Sequence, residues 1–265
     1  MPVRSGPACG PERPPLAHAD CIAGLVKGLA VLESFDTERQ WLNATLAAQR
    51  AGLTRAAARR HLLTLTHLGY LETDGHHYWL APRVLRLAGS YLASSRLPRL
   101  VQPLLNQLAE RTGESFSVAV RDGDSVVIVA RSGSGRLLAY GVHLGARLPV
   151  HATSTGRVLL AALSRAELAQ WLRGRELPRL TAHTVTAPAA LQALLARVRA
   201  DDHCLCVEEH ELGVQALAVP LRDAAGRTLA ALNVVASPQR LPVERLLADF
   251  LPLLREAQAA LRPML

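Results

Sequence analysis

Between Asn43 and Leu80 the chain reads NATLAAQRAGLTRAAARRHLLTLTHLGYLETDGHHYWL, and few folds accommodate that order of signals. Asn43 can cap a short helix, Gly52 can take the left-handed angles just past its end, and Thr54 can cap a second helix by accepting from its free N–H groups. Two helices therefore meet at a sharp turn. Around the second, Ala58, His61, Leu62, Leu65 and Leu68 fall on one arc and Ala56, Arg59, Arg60 and His67 on the other, so one face packs and one is free. Beyond Gly69, Tyr70–Thr73 and His77–Leu80 flank Asp74-Gly75-His76, the pattern of two short strands around a turn.

Helix, turn, arginine-bearing helix and polar hairpin in unbroken succession is the order of a winged helix-turn-helix. The free face of the second helix begins near its N-terminus, where a recognition helix meets base edges; small Ala56 and Ala57 let the backbone approach a groove wall, and arginine suits guanine or phosphate. The candidate DNA-contacting residues are Asn43, Thr54, Arg55, Ala56, Arg59 and Arg60, with His76 at the tip of the wing. The same arginines would serve a plain helical hairpin as a solvated face, so they carry the reading only together with the helix order and the hairpin.

The net charge of +8 leans toward the N-terminal third, with 12 basic against 7 acidic side chains in residues 1–100 and 18 against 15 in the remainder. That lean suits a polyanion partner. It is discounted because 29 of the 30 basic residues are arginine, Lys27 being the one lysine, a bias typical of genome composition. At 265 residues, 49% hydrophobic and 20% charged, the chain is long enough for two folded domains. It has no apolar run of membrane-spanning length, and MPVRSGPACGPERPPLAHAD has prolines and charges where a signal peptide needs an apolar core, so a cytoplasmic location and no membrane partner are expected. Cys9, Cys21, Cys204 and Cys206 lack the spacing of a disulfide framework, and no disulfide is expected.

The first 20 residues carry five prolines and no periodicity, and read as a mobile arm. Ile22–Phe35 is expected to be the first helix, Asp36–Trp41 a loop, and Arg83–Ser95, following Pro82, a linker helix. A helix over Pro98–Thr112 should stop at Gly113. Ser115–Arg121 and Val126–Arg131 flank Asp122-Gly123-Asp124-Ser125 as a β-hairpin, with Leu137–Val142 a third strand. Helices are expected at Ser154–Leu163, Arg165–Arg173 and Pro188–Asp201, strands at Cys204–Val207, Val214–Leu221 and Thr228–Val235, and a closing helix over Pro242–Leu261. The fold class is thus α+β, with one antiparallel sheet in the C-terminal part and room for a small ligand between sheet and helices. The expected divisions are an arm at 1–20, a winged helix-turn-helix domain at 21–82, a linker helix at 83–97 and a second domain at 98–265.

The whole order resembles the IclR family of bacterial transcriptional regulators. The resemblance covers residues 21–265 and is carried by Ile22–Leu80, by LPVHATSTGRVLLAAL at Leu148–Leu163 and by EEHELGVQALAVPLRDAAGRTLAALNVVASP at Glu208–Pro238. The stretches TERQWLNATLAAQRAGLTRAAARRHLLTLTHLGYLETDGHHYWLAPRVLRLAGSYL and HELGVQALAVPLRD are most similar to regulators of aromatic-acid catabolism through the β-ketoadipate pathway. The resemblance implies a GAF-like effector-binding domain, a homodimer or dimer of dimers on a pseudo-palindromic promoter site, and a small carboxylic acid effector such as protocatechuate, 4-hydroxybenzoate, muconate or β-ketoadipate. A regulator of the same family answering to a non-aromatic metabolite is the alternative within it. A dimer also follows physically, since one recognition helix spans too few bases for useful specificity.

By position in the family, the effector meets Ser154, Thr155 and Gly156 at the start of a helix, and Cys206, Val214, Ala216, Asn233 and Val235 on the opposite wall. A helix N-terminus with free N–H groups is a ready anion site, although Ser154 could instead simply cap the helix. The family's founding members carry an acidic residue at the place of Cys206 and a hydroxyl at that of Val235, so a less polar pocket and a larger, flatter acid are implied. Arg131, with its planar fork, is a candidate partner for a ligand carboxylate, and Tyr140 could stack on a ring or fill the core.

Other chemistries are poorly supported. His203, Cys204, Cys206 and His210 suggest a metal, but cysteines two apart in a strand share a face, whereas structural zinc sites use a Cys-x-x-Cys turn; buried thiols are the better reading. His151 and Ser154 lack a nucleophile elbow, and Glu208 and Glu209, in a strand-like segment, should point to opposite faces. Gly133-Ser134-Gly135 lacks the third glycine and following helix of a dinucleotide site. No enzyme activity, cofactor or metal is expected. A protein-interaction module is the remaining alternative, and its binding would not weaken steeply with salt as a phosphate contact does.

Overall fold

The computed structural model describes residues 17, 20–36, 39–132 and 143–265. Most of the expected arm, Cys9, Tyr140 and the strand expected at Leu137–Val142 lie outside them. The chain divides into two compact units, one ending at Ser94 and the other running from Ser95 to Leu265.

In the first unit α1 (Ala23–Leu32), α2 (Ala44–Ala51) and α3 (Arg55–His67) precede a hairpin of β1 (Leu71–Thr73) and β2 (Tyr78–Leu80). A single 3-10 turn at Pro82–Val84 leads into α4 (Leu85–Ser94). Asn43 Oδ1 accepts from the amides of Thr45 and Leu46, both at 3.0 Å, and Thr54 Oγ1 from Ala57 at 3.3 Å, so both expected caps are made. Gly52, at φ 66, supplies the left-handed residue between them. Val31, Leu42, Ala58, Leu62, Leu71 and Tyr78 close the core, and a bridge from Leu42 to Tyr78 adds a third chain to the hairpin. Two expectations are corrected. Leu68, placed on the packing arc, is 47% exposed, because α3 ends at His67 and the chain turns away at Gly69. α1 ends three residues early, where the Ser34 hydroxyl donates to the Val31 carbonyl.

The second unit is a six-stranded antiparallel sheet in the order β5-β4-β3-β8-β7-β6. Its strands are β3 (Ser115–Asp122), β4 (Ser125–Arg131), β5 (Arg147–Pro149), β6 (Cys204–Val207), β7 (Gln215–Arg222) and β8 (Thr228–Ala236). α5 (Arg96–Thr112) and α10 (Leu251–Leu261) cover one face over Phe116, Val118, Leu217, Val219, Leu232 and Val234. α6 (Ser154–Ala161) and α8 (Pro188–Asp201) cover the other over Ile128, Ala218 and Ala231, with α7 (Arg165–Leu172) following α6. Period-two alternation thus serves two cores at once.

The hairpin turn is tighter than expected: Asp122 pairs with Ser125, leaving Gly123 and Asp124 alone in the loop. β5 was not foreseen, since three residues ending in proline carry no alternation and suit only a sheet edge. The closing helix is not uniform either. After α9 (Val243–Arg245) it widens into a π-helical turn at Leu246–Phe250, directly before Pro252, which has no N–H to offer the carbonyl four residues back.

Candidate functional site

The first unit exposes Arg55, Ala56, Arg59 and Arg60 along one side of α3, and no carboxylate among the described residues pairs with these arginines. Asn43 and Thr54 stand at the two helix starts with their acceptor oxygens already committed to capping. His76 is exposed at the wing tip, where Asp74 accepts from the amides of His76 and His77 at 2.8 and 2.6 Å. Those amides, His77 foremost, hold the Asp74 carboxyl below its usual range and so fix the loop. Trp41, not singled out from sequence, stacks on Trp79 with ring centroids 4.5 Å apart while remaining 56% exposed.

In the second unit a pocket opens between the sheet and the start of α6. Its floor is built from Ser117 and Ile128 of β3 and β4, Cys206 of β6, Ala216 of β7, and Asn233 and Val235 of β8. Leu148, Ala152, Thr153, Ser154 and Thr155 form the roof, and Glu209, His210, Glu211 and Val214 form the turn between β6 and β7. The register explains the floor: Ser115 and Ala216 both pair with Val235, Cys206 with Ala216, and Ser117 and Ala218 with Asn233, so their side chains share one face. Seven sequence-predicted residues thus come together: Ser154, Thr155, Cys206, Val214, Ala216, Asn233 and Val235.

Gly156 lies one residue beyond the lining, and its role is steric. A Cβ there would lie 2.3–2.6 Å from backbone atoms of Val150. Arg131 is half-buried, which lowers its pKa, and sits opposite Ser117 in the β3–β4 register. Its carbonyl accepts from Gln102 at 2.7 Å, and its side chain is not part of the cavity wall. Tyr140 lies outside the described residues.

Thr153, not Ser154, caps α6: its hydroxyl accepts from Gly156 N–H at 3.2 Å, and its carbonyl from Arg157 N–H. The amides of Ser154 and Thr155 have no acceptor among the described residues. The Ser154 hydroxyl is buried, lines the pocket and has no hydrogen-bond partner. On the floor the Ser117 hydroxyl donates to Asn233 Oδ1 at 2.6 Å, which commits that oxygen and leaves the NH2 as the donor end of the amide. The roof therefore offers donors and a positive helix end, matched to an anion.

One turn into α6, the buried Arg157 guanidinium donates to both carboxylate oxygens of Glu209, at 2.6 Å from Nη1 to Oε1 and also from Nη2 to Oε2, and from Nε to the His151 carbonyl at 2.8 Å. Burial alone would lower the Arg157 pKa, but the two-pronged contact with the Glu209 carboxylate reverses this and raises it. Glu209 also accepts from Val185 N–H at 3.2 Å, so its charge is spent before any ligand arrives. The expectation that Glu208 and Glu209 alternate in a strand is corrected: Glu208 has φ 56 and begins a turn, stapled by Thr181 and Thr184 hydroxyls to the Glu208 and Glu209 carbonyls. Cys204 and Cys206 lie with their sulfurs 3.9 Å apart, and that contact together with burial pushes the Cys206 thiol up, away from the thiolate. Among the described residues no group of three or more His, Cys, Asp and Glu side chains could hold a metal ion.

Of the residues missed from sequence, Ser117 had a visible signal in the alternation of SFSVAVR, and Thr153 stood just before the predicted helix. Arg157 had none, and Glu209 reads from sequence only as a candidate acid or base, not as the partner of a buried arginine.

Residues 24–75 match the IclR helix-turn-helix domain, and residues 89–262 the bacterial transcriptional regulator IclR C-terminal domain. Over 94% of its length the chain is 47% identical to the Pca operon regulatory protein of Acinetobacter baylyi, covering 91% of that protein. It is 49% identical to the p-hydroxybenzoate hydroxylase transcriptional activator of the same organism, over 92% of each chain. Among solved structures, the inducer-binding domain of the PobR transcription factor from Acinetobacter, a double mutant in complex with 3-hydroxybenzoic acid, is 44% identical with a TM-score of 0.61, covering 63% of this chain and 98% of that one. Helix order, sheet, pocket and sequence agree: the chain belongs to the IclR family of bacterial transcriptional regulators, on the branch that holds the regulators of the β-ketoadipate pathway.

Proposed function

We propose that this regulator reads promoter DNA as a cytoplasmic homodimer and is controlled by a small aromatic carboxylic acid bound, without turnover, between the sheet and α6. The observation that carries the reading is the buried, unpartnered Ser154 hydroxyl beside the free amides of Ser154 and Thr155. A buried hydroxyl left without a partner is costly, and a ligand carboxylate at that place would satisfy it together with the helix end. Cys206, Val214, Ala216 and Val235 suit a ring, and the Asn233 amide beside Ser117 suits a ring hydroxyl. The hydroxybenzoic acid held by the PobR domain has both features.

Arg55, Ala56, Arg59 and Arg60 then face the major groove, with Asn43, Thr54 and His76 near the backbone. Support for a dimer comes from α1 and α4, which leave Ile22, Leu25, Val26 and Leu29, and Leu85, Leu87 and Tyr91, exposed. Residues 21–82 serve as the reading domain, 83–97 as linker and 98–265 as effector domain. For the acid to act, it must favour one arrangement of the paired reading domains over another.

The test is a thermal-shift panel of benzoic, hydroxybenzoic, dihydroxybenzoic and dicarboxylic acids. Each acid is paired with binding of a duplex from the protein's own upstream region. An aromatic acid that raises the Tm and changes DNA affinity supports the reading; stabilisation by a dicarboxylic acid alone would replace the aromatic assignment. Measured conversion of any bound acid would contradict a role limited to binding.

A further inference from the structure

Beside the recognition helix lies a second polar cleft, which shares Arg60 with the DNA reading above and adds side chains that reading does not use. Its walls are Gly24 and Lys27 of α1 and Ala57, Arg60, His61 and Thr64 of α3, and it encloses about 290 Å³. The two helices build it by spacing. Gly24, Lys27 and Gly28 fall on the side of α1 that faces α3, while Ile22, Leu25, Val26 and Leu29 fall on the exposed side. Gly28 lets the helices approach, since a Cβ there would already stand 3.6 Å from His61 Nδ1. A Cβ on Gly24 would meet nothing within 4 Å, so the cleft is open above it.

The basic side chains of Lys27 and Arg60, with His61 beside them, therefore line one concavity. The described ion pairs of this unit are Arg50–Asp36 and His77–Asp74, and neither reaches the cleft. The Thr64 hydroxyl is spent on the Arg60 carbonyl at 2.8 Å, so it neither quenches nor competes with these cations. A cleft lined by basic side chains and by no carboxylate among the described residues favours an anion. Lys27 is the single lysine in a chain with 29 arginines, and its compact ammonium on a flexible stem suits a point contact with one oxyanion.

We propose that this cleft is a phosphate seat: Lys27 and Arg60, flanked by His61, hold one backbone phosphate of the DNA whose groove α3 enters. Arg60 lies on the groove side of α3 and Lys27 on the neighbouring helix, so the pair clamps the backbone at the edge of the groove. The contact positions the protein and carries no base information. The inference rests on the DNA-binding reading of α3.

The experiment measures affinity of the full chain for a duplex from its own upstream region, and for a scrambled duplex of equal length, across about 50 to 200 mM salt. Removing one phosphate contact should reduce the slope of log affinity against log salt by about 0.9, a change of about 3.5-fold across that range. Lys27→Gln should show this reduction equally on both duplexes, and Lys27→Arg should restore the slope. Arg60→Gln provides an independent variant should Lys27→Gln lower the Tm, and should give a similar loss. An unchanged slope in both Gln variants, with wild-type binding intact, overturns the seat while leaving the regulator reading in place. Wild-type protein that binds neither duplex removes the DNA-binding reading itself. A loss confined to the upstream duplex would make Lys27 a reader of sequence and also overturn the proposal.

Discussion

Arg157 and Glu209 form a two-pronged ion pair, with side chains only 2% and 11% exposed, that fastens the first turns of α6 to the turn between β6 and β7. The roof of the pocket and its far rim are thereby tied together. Glu209→Gln would leave the Arg157 charge buried without its counterion, a change that costs about 3–5 kcal/mol when a buried pair is broken from one side. Urea unfolding followed at Trp171, a residue of α7 in the same unit, should report the loss. A change below about 1 kcal/mol would mean that water reaches Arg157 in solution.

Gly156 is where the backbone of α6 passes Val150 too closely for any side chain. Gly156→Ala should displace the helix start, cost about 1–3 kcal/mol through overpacking, and weaken binding of the acids that stabilise the wild type. Isothermal titration with the best acid checks this. Undiminished affinity would place the anion elsewhere than the α6 N-terminus.

At the other functional end, Arg59→Ala should weaken binding to the upstream duplex by about 1–3 kcal/mol, or roughly 5- to 150-fold, if the guanidinium reaches a base edge. The helix should survive, since the exposed Arg59 has no carboxylate partner among the described residues. Equal loss on a scrambled duplex would demote it to a phosphate contact, and no loss would remove it from the interface.

His151 gives the effector domain an acid-sensitive element. Burial pulls its pKa below the ordinary 6.5, against the raising effect of the Pro178 carbonyl that its Nε2 faces at 3.0 Å, while the Arg157 charge lowers it further. As pH falls through 6.5 the unfolded chain takes up this proton before the folded one, so the contribution is intact above 6.5 and declines below it. The Tm should therefore drop more steeply between pH 6.5 and 5 in the wild type than in His151→Gln. Parallel profiles would assign the acid sensitivity to other groups.

The reading unit was legible from its sequence because its signals are local. Asn43, Gly52 and Thr54 each act on residues within a few positions, and the structure uses all three as caps. The pocket was legible by halves. Alternation put Asn233 and Val235, or Cys204 and Cys206, on common faces, and the register then aligned them with Ser117 and Ala216. The brace between Arg157 and Glu209 was not legible, because its partners are 52 residues apart. An arginine inside TSTGRVLLAAL reads locally as an exposed residue of an amphipathic helix, and nothing near it announces a buried counterion. The left-handed Glu208 was hidden for a related reason, since a non-glycine at φ 56 has no sequence mark when tertiary hydrogen bonds enforce it.

The centre of the sheet is the β3–β8 pair, and the Ser117–Asn233 bond on it joins residues 116 positions apart. A nascent chain cannot complete that pairing until β8 has left the ribosome, whereas α1–α3 and the hairpin need only their own neighbours. The reading domain thus gains its shape first during synthesis. The pocket takes walls from both halves of the sheet, so it cannot exist before β8 has joined, and an acid bound there would favour the closed sheet over the open one.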